Sequence, residues 1–400
     1  MSRNPSPDLV VAAMLDRSHP VKSEIADWAR VTLEHDDLND RDLGCEFDRS
    51  GWQQCAERGL HGAIVPTASG GGGHDVVTGA LMLEGLGVGC RDNGLAYGIA
   101  SQMLSYQEAV LHFGTDAQRE EFLTPACRGE LIGAFAITEA ESGSDTYSMQ
   151  TTATRDGDSW VLHGEKVHIT LAPVADAAVV FAITDPTAGR WGISAFLVRA
   201  DQPGVSFTDT QPKMGLRTTP FGDIVLDGYV AASTDLLGKE GAGASMFAAC
   251  MESERSMIMA SHLGAVERLV DDAIERANSR VQFGQTIGSF QAVSHRLVDM
   301  EMRLDAARLQ VYQATAAFGA GRAALPAAMA KLAASEAIAA IGIDAARIHG
   351  ARGYITEFEV EREVRDALGS LVYAGTSDVQ KNTIAALMGI APARNRPGGS

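Results

Sequence analysis

The adjacent residues Glu254 and Arg255 place a carboxylate beside a guanidinium in the methionine-rich segment 251–259. A carboxylate held in a dry pocket can remove a proton from a weak carbon acid. A glutamate midway along a helix normally faces solvent, so this position alone does not assign the role. Glu252 is a weaker candidate for the same chemistry, because residues two apart point about 200° apart on a helix.

Two further segments carry groups that bind polar or anionic ligands. Segment 136–145 reads AITEAESGSD and offers the hydroxyls of Thr138 and Ser144, although such a turn is often simple loop chemistry. Segment 280–285 reads RVQFGQ, and the planar fork of Arg280 suits the paired oxygens of a pyrophosphate. The glycine-rich segments 70–73 and 85–89 lack the ending or the preceding strand of a phosphate-binding loop.

The elements that must position these groups change in character along the chain. Residues 1–130 are predicted as an N-terminal helical domain and 131–236 as a middle β domain with alternating and β-branched runs. Residues 237–388 are predicted as a helical bundle with long segments near 243–280, 289–319, 325–350 and 375–388. Residues 389–400 are expected to form a disordered tail. The fold class is therefore α+β and mainly α.

Composition limits the class of protein. The formal net charge of −18 opposes binding to nucleic acid and to anionic membrane surfaces. The five cysteines are scattered without a Cys-x-x-Cys pair, which is typical of a reduced compartment, and the histidines show no metal-ligand spacing. The N-terminus lacks a signal-peptide core, and no run of about 18 apolar residues occurs. These patterns predict a cytoplasmic protein without a metal site.

Several motifs together resemble the acyl-CoA dehydrogenase family from about residue 20 to 388. The match includes AITEAESGSD at 136–145, GEKVHIT at 164–170, RVQFGQ at 280–285, RIHGARGY at 347–354 and YAGTSD at 373–378. The resemblance implies a helical bundle, a middle β-barrel-like domain and a C-terminal four-helix bundle. It also implies FAD bound across a subunit interface, and hence a homodimer or homotetramer.

The family resemblance bears directly on the catalytic base. Most members carry a glutamate at the position of Ala374, within a run of the form Tyr-Glu-Gly-Thr-Ser. A branch typified by isovaleryl-CoA and long-chain acyl-CoA dehydrogenases has a small residue there and takes its base from a helix, immediately before an arginine. Glu254 matches that base. The backbone N–H of Ala374 is then expected to hold the thioester oxygen, with Arg255, Tyr373 and Gly375 contacting the substrate.

The same resemblance assigns cofactor contacts. The segment GEKVHIT at 164–170 matches the family strand that contacts the flavin, and the chain differs from the family at two positions in and directly after it. His168 replaces an aromatic residue, commonly tryptophan, and Leu171 replaces an asparagine. An imidazole can titrate near neutrality, but it can also simply fill an aromatic slot. The residues implied to contact FAD are Thr138, Ser144, His168, Thr170, Arg280, Phe283, Gln291, Arg347, Gly350, Thr376 and Asp378.

The implied reaction is α,β-dehydrogenation of an acyl-CoA thioester, in which Glu254 takes the α-proton and the β-hydride passes to flavin N5. An electron-transferring flavoprotein or oxygen would accept the electrons. One alternative is a biosynthetic flavoenzyme that dehydrogenates or oxidises, with oxygen, an acyl group on a carrier protein. Another alternative is a non-catalytic member that retains FAD. The sequence does not separate the first alternative from the acyl-CoA reaction, whereas the retained flavin motifs and the Glu254 carboxylate argue against the second.

Overall fold

The computed structural model describes residues 4–34 and 37–390, so residues 391–400 of the predicted tail lie outside the described residues. The first third is helical. Side-chain caps start several of its helices, including Asp75 before the fifth and Asp92 before the sixth. The helices are α1 Pro7–Leu15, α2 Pro20–Thr32, α3 Leu38–Gly44, α4 Arg49–Glu57, α5 Val76–Gly89, α6 Asn93–Ser101, α7 Gln107–Phe113, α8 Asp116–Gln118 and α9 Thr124–Cys127.

Two wide π-helical turns interrupt this helical region. Gln102–Tyr106 joins α6 to α7, and Arg119–Leu123 joins α8 to α9. A π turn adds one residue to a helical turn and so rotates the side chains that follow. The first of these turns brings the Ser105 hydroxyl to within hydrogen-bond distance of Glu254.

The middle third is an eight-stranded sheet of β1 Gly133–Ala136, β2 Thr152–Asp156, β3 Ser159–Thr170, β4 Ala177–Ile183, β5 Ile193–Arg199, β6 Val205–Phe207, β7 Phe221–Ala232 and β8 Leu236–Leu237. The strand order is β6-β7-β3-β2-β4-β5-β8, with β1 paired in parallel to β4. The central strands β4 and β5 are buried on both faces, which explains their nearly continuous apolar sequences.

The last third is again helical, with a short hairpin of β9 Val281–Gln282 and β10 Gln285–Thr286. The predicted helix near 243–280 is interrupted at Ile258, whose backbone nevertheless stays close to helical. The helices are α10 Gly243–Met257, α11 Met259–Ser279, α12 Gln291–Gly319, α13 Ala324–His349, α14 Val360–Gly369 and α15 Ser377–Leu387.

Helix α14 is absent from the sequence prediction because three of its five buried residues, Arg362, Glu363 and Asp366, are charged. Arg365 pairs with the buried Asp42 at 2.7 Å, and Glu363 pairs with Arg268 of α11 at 2.8 Å. Ion pairs of this kind leave no apolar periodicity for a sequence reading to detect.

Glycines allow α5 and α11 to approach closely. A Cβ atom on Gly87 would lie 1.8 Å from the carbonyl oxygen of Ser261, and one on Gly264 would lie 2.1 Å from that of Glu84. The glycines of segment 85–89 therefore serve helix packing, in agreement with the rejection of a nucleotide loop there.

Helix α13 and the turn after it form one apolar stretch, Ala324–Gly353, which among the described residues is long and apolar enough to cross a membrane. Half of its most apolar window is buried inside the protein, a pattern that core helices also show. The cytoplasmic location stays a prediction.

Candidate active site

Glu254 lies in the last turn of α10 and is only 7% exposed. The Ser105 hydroxyl donates a hydrogen bond to its Oε2 at 2.9 Å. Burial raises the pKa of Glu254, while the Ser105 hydrogen bond and the charges of Arg255 and Lys331 oppose that rise. The buried carboxylate therefore has the surroundings of a general base rather than those of a solvated helix face.

Glu252 is half-buried on the same helix, and partial burial raises its pKa while Arg255 lowers it. Its backbone carbonyl accepts a hydrogen bond from the Ser256 hydroxyl. The two glutamates therefore differ mainly in burial, as their separation on the helix predicts.

The loop before α15 forms a tight turn beside Arg255. The Nε of Arg255 donates to the carbonyl of Ala374 at 3.0 Å, and Gln380 Nε2 donates to the same oxygen at 2.9 Å. Ala374 and Gly375 both have positive φ, of 53° and 89°. The Ala374 N–H has no hydrogen-bond partner within the described part of the chain. The two hydrogen bonds to the Ala374 carbonyl hold the turn in place, so the Ala374 N–H is already oriented to donate to a developing negative charge.

Aromatic residues form a wall near this turn. The Tyr373 hydroxyl and His262 Nε2 are 3.0 Å apart, and the Tyr373 and Tyr97 rings are 4.6 Å apart. Burial lowers the pKa of His262 to about 4, so its imidazole is neutral at pH 7. Burial raises the pKa of the Tyr97 phenol, and interaction with the Thr170 side chain opposes that rise. This interaction links the surroundings of Glu254 to the predicted flavin strand.

Lys331 of α13 is fully buried, and its Nζ finds no hydrogen-bond partner among residues 4–34 and 37–390. The ammonium lies 5.9 Å from the centre of the Tyr373 ring. Burial and the charge of Arg255 lower the pKa of Lys331 to about 8, whereas Glu254 opposes the shift.

Sequence reasoning missed Tyr97, Ser105, His262 and Lys331. The available signal was a single polar residue within an apolar helical run, as for Lys331 in AAMAKLAA. Such a residue more often reaches the surface along its stem, so the signal was weak.

The loop that carries Thr138 is anchored by a buried ion pair. Lys166 Nζ lies 2.7 Å from Glu139 Oε1, and the same carboxylate accepts the Thr151 N–H at 2.9 Å. Lys166 is fully buried, and burial lowers its pKa to about 8. Thr138 is partly buried and Ser144 is exposed, so both predicted cofactor residues sit on a fixed loop with surface access.

His168 lies at an irregularity in β3, between Lys166 and Ile169, with a φ of 60°. Its ring stacks on Phe221 at 5.7 Å with an interplanar angle of 7°. Its backbone N–H donates to Asp223 Oδ1 at 3.0 Å. The stacked, exposed imidazole fits the reading that His168 occupies an aromatic position, and Leu171 is buried.

Arg280, Phe283 and Gln291 are all exposed at the β9–β10 hairpin and the start of α12. Phe283 is 95% exposed and has a φ of 53°, with one edge-on contact to Phe290 at 6.0 Å. Aromatic residues are enriched at protein–protein interfaces, but a single exposed one does not by itself identify an interface. A role in a neighbouring subunit's FAD site stays a prediction.

Arg347 and Thr376 are not brought together within the chain. Arg347 pairs with Asp344 at 3.0 Å near the end of α13, where Gly350 has a φ of 62°. The Thr376 hydroxyl caps α15, and the next residue, Ser377, bonds Glu336 at 2.6 Å, about three turns earlier on α13. Asp378 is exposed and lies 3.5 Å from Lys381.

Three family models match consecutive parts of the chain. Their descriptions are acyl-CoA dehydrogenase, N-terminal domain, for residues 19–130, middle domain for 134–229, and C-terminal domain for 241–389. Together they cover most of the chain.

Two relatives are similar over most of their length. One is named L-prolyl-[peptidyl-carrier protein] dehydrogenase, from Pseudomonas fluorescens, at 37% identity over 85% of this chain and 90% of that protein. The other is the human mitochondrial short-chain specific acyl-CoA dehydrogenase, at 36% identity over 82% of this chain and 79% of that protein. A solved structure, described as the prolyl acyl carrier protein oxidase AnaB, matches with a TM-score of 0.91 and 39% identity, covering 94% of this chain and 99% of its own.

Proposed function

Because the chain belongs to the acyl-CoA dehydrogenase family, we propose that it dehydrogenates an acyl thioester between the α- and β-carbons with Glu254 as the base. The observation that carries the proposal is the buried Glu254 carboxylate near a turn whose Ala374 N–H has no hydrogen-bond partner among residues 4–34 and 37–390. An acid–base group and an oxyanion donor are what removal of an α-proton requires.

FAD is the cofactor, and the protein is an oxidoreductase acting on CH–CH groups. The donor set fits FAD: the hydroxyls of Thr138 and Thr170 suit the polar flavin edge, and the exposed Arg280 suits a pyrophosphate. We assign Ser144, His168, Phe283, Gln291, Arg347, Gly350, Thr376 and Asp378 to the same cofactor, as the family resemblance implies. When bound, FAD supplies an acceptor for the β-hydride.

The chain's own residues prepare the substrate in this proposal. The Ala374 N–H donates to the thioester oxygen and so stabilises negative charge that develops as the α-proton leaves. Glu254 accepts that proton in a pocket from which the aromatic wall of Tyr97 and Tyr373 excludes water. Arg255 keeps the turn in place through the Ala374 carbonyl.

Two substrate classes are in contention. An acyl-CoA thioester follows from the family, whereas a prolyl thioester on a carrier protein follows from the names of the Pseudomonas relative and of AnaB. Both carriers present an acyl group on a thiol, so Glu254 and Ala374 would serve either one. The electron acceptor, an electron-transferring flavoprotein or oxygen, belongs to the same proposal.

An anaerobic titration tests the proposal. The oxidised-flavin absorbance of the FAD-loaded enzyme is recorded with a panel of acyl-CoA thioesters and, separately, with a prolyl-loaded carrier protein. Bleaching by a coenzyme A thioester supports the first class, and bleaching by the carrier-bound prolyl group alone supports the second. No bleaching by either would contradict the dehydrogenase proposal and favour the non-catalytic alternative.

A further inference from the structure

The Glu254 carboxylate receives a hydrogen bond from a distant part of the chain. Ser105 is only 2% exposed, and the bond to Oε2 is the one its hydroxyl donates. No residue of the described ranges donates to the other oxygen, Oε1. The two carboxylate oxygens are therefore distinct, one occupied and one available.

Resting on the proposed function, we propose that Ser105 is a positioning residue that fixes Oε2 of Glu254 and leaves Oε1 to accept the α-proton of the substrate. A carboxylate at the end of a flexible glutamate side chain has several rotamers of similar energy. One charge-assisted hydrogen bond in a buried pocket is strong enough to favour a single one of them.

The backbone around Ser105 supports this role. Ser105 belongs to the π turn Gln102–Tyr106, and Gln102 on the same turn anchors it by accepting the Gly133 N–H through its side chain at 2.7 Å. An extra residue in one turn rotates the following side chains by about 100° relative to a continuous α-helix. The π turn is thus a local device that directs a hydroxyl toward α10.

Charged and titratable side chains that interact with Glu254 lie on three helices and on the loop before α15. At neutral pH the tyrosines and the cysteine are uncharged, because burial raises the pKa of each of them. Arg255 and Lys331 therefore supply the positive charge that favours the ionised carboxylate. The groups are Cys250 and Arg255 on α10, Tyr97 on α6, Lys331 on α13 and Tyr373 in the loop before α15.

The test compares Ser105→Ala with Ser105→Thr in the FAD-loaded enzyme, using the thioester that bleaches the wild-type flavin. We expect Ser105→Ala to lower the maximal rate of flavin reduction about ten- to a hundred-fold, as loss of a hydrogen bond to a charged group predicts. We also expect the acidic limb of its pH–rate profile to move to higher pH, with KM little changed. Ser105→Thr keeps the hydroxyl and should recover most of the rate.

Lys331→Met serves as a comparison variant, because it removes a charge near Glu254 but leaves the Ser105 hydrogen bond. It should move the acidic limb in the same direction with a smaller loss of maximal rate. A Ser105→Ala enzyme with wild-type rate and pH profile would overturn the inference, as would a rate loss in both Ser105 variants without a change in pH profile. A fully active Glu254→Gln enzyme would instead contradict the proposed function, because Glu254 would then not be the base that Ser105 is inferred to position.

Discussion

At the scale of single residues, the two glutamates of α10 make a matched pair. Glu254→Gln keeps the shape of the side chain and the Ser105 contact but removes the base. We expect it to bind FAD normally and to lose about a hundred- to ten-thousand-fold in turnover. Glu252→Gln, on the half-buried neighbour, should change turnover little. Flavin content and steady-state turnover of both variants provide the measurement, and equal activity of the two would remove Glu254 from the mechanism.

The pH dependence of flavin reduction follows from the environment of Glu254. The base must be ionised to accept a proton, and burial raises its pKa. The rate should therefore fall as the pH drops through a value above about 4.3, the ordinary pKa of a glutamate. Rates measured by rapid mixing across a pH series, with flavin content checked at each pH, test this expectation. An acidic limb at or below the ordinary value would show that the carboxylate is not desolvated during the reaction.

The sequence pattern could single out Glu254 and Ala374 as candidates because a short linear motif carries each of them, and their roles stay a prediction. The sequence pattern could not predict a role for Ser105 or Lys331, because that role depends on which faces of α10, α13 and the π turn meet in space. Likewise, the sequence names His168 as a departure, but only the fold places its ring flat against Phe221.

At the scale of elements, the contact between α5 and α11 depends on glycine. Gly87→Ala would force a Cβ atom against the Ser261 carbonyl oxygen, so we expect a loss of stability of about 3 kcal/mol or more. Gly98→Ala on α6 is the matched control, because its Cβ would meet neighbours at ordinary distances of 3.4 Å or more. Thermal unfolding of the FAD-loaded variants, followed by circular dichroism, should show a lower Tm for Gly87→Ala alone. Equal Tm values for Gly87→Ala and Gly98→Ala would mean that α5 and α11 can move apart to accommodate the added methyl group at little cost in stability.

Elements with regular apolar periodicity were predictable and those built on charge were not. Strand β4 lies inside the predicted β domain 131–236, and its short, nearly continuous apolar run is that of a strand buried on both faces. Helix α14 was not predicted because Arg362, Glu363 and Asp366 make most of its buried side charged. The π turns were not predicted either, since no residue type marks them.

At the scale of the whole molecule, the family's three-domain fold is confirmed, while the boundaries at 130, 236 and 388 stay a prediction. The homodimer or homotetramer also stays a prediction, and the exposed β9–β10 hairpin is the surface that would test it. A chain with net charge −18 repels its own copies, so a stable assembly needs apolar contacts such as Phe283.

Phe283→Asp is expected to weaken subunit association and to lower FAD content, because the hairpin is proposed to contact both the partner and its cofactor. Val31→Asp is the control, because Val31 on α2 is also an apolar residue that is mostly exposed, at 84%, but lies outside the hairpin. Sedimentation velocity gives the mass of each variant and absorbance gives its flavin content. An unchanged assembly with full flavin in Phe283→Asp would place the interface elsewhere.

The most direct measurement of the central claim is a single-turnover comparison of wild type with Glu254→Gln. Both FAD-loaded proteins are mixed anaerobically with the acyl thioester that bleaches the wild-type flavin, and the rate of bleaching is recorded. The proposed mechanism predicts rapid bleaching by the wild type and a rate at least about a hundred-fold slower in the variant, with unchanged thioester binding. Equal bleaching rates would show that another group removes the α-proton.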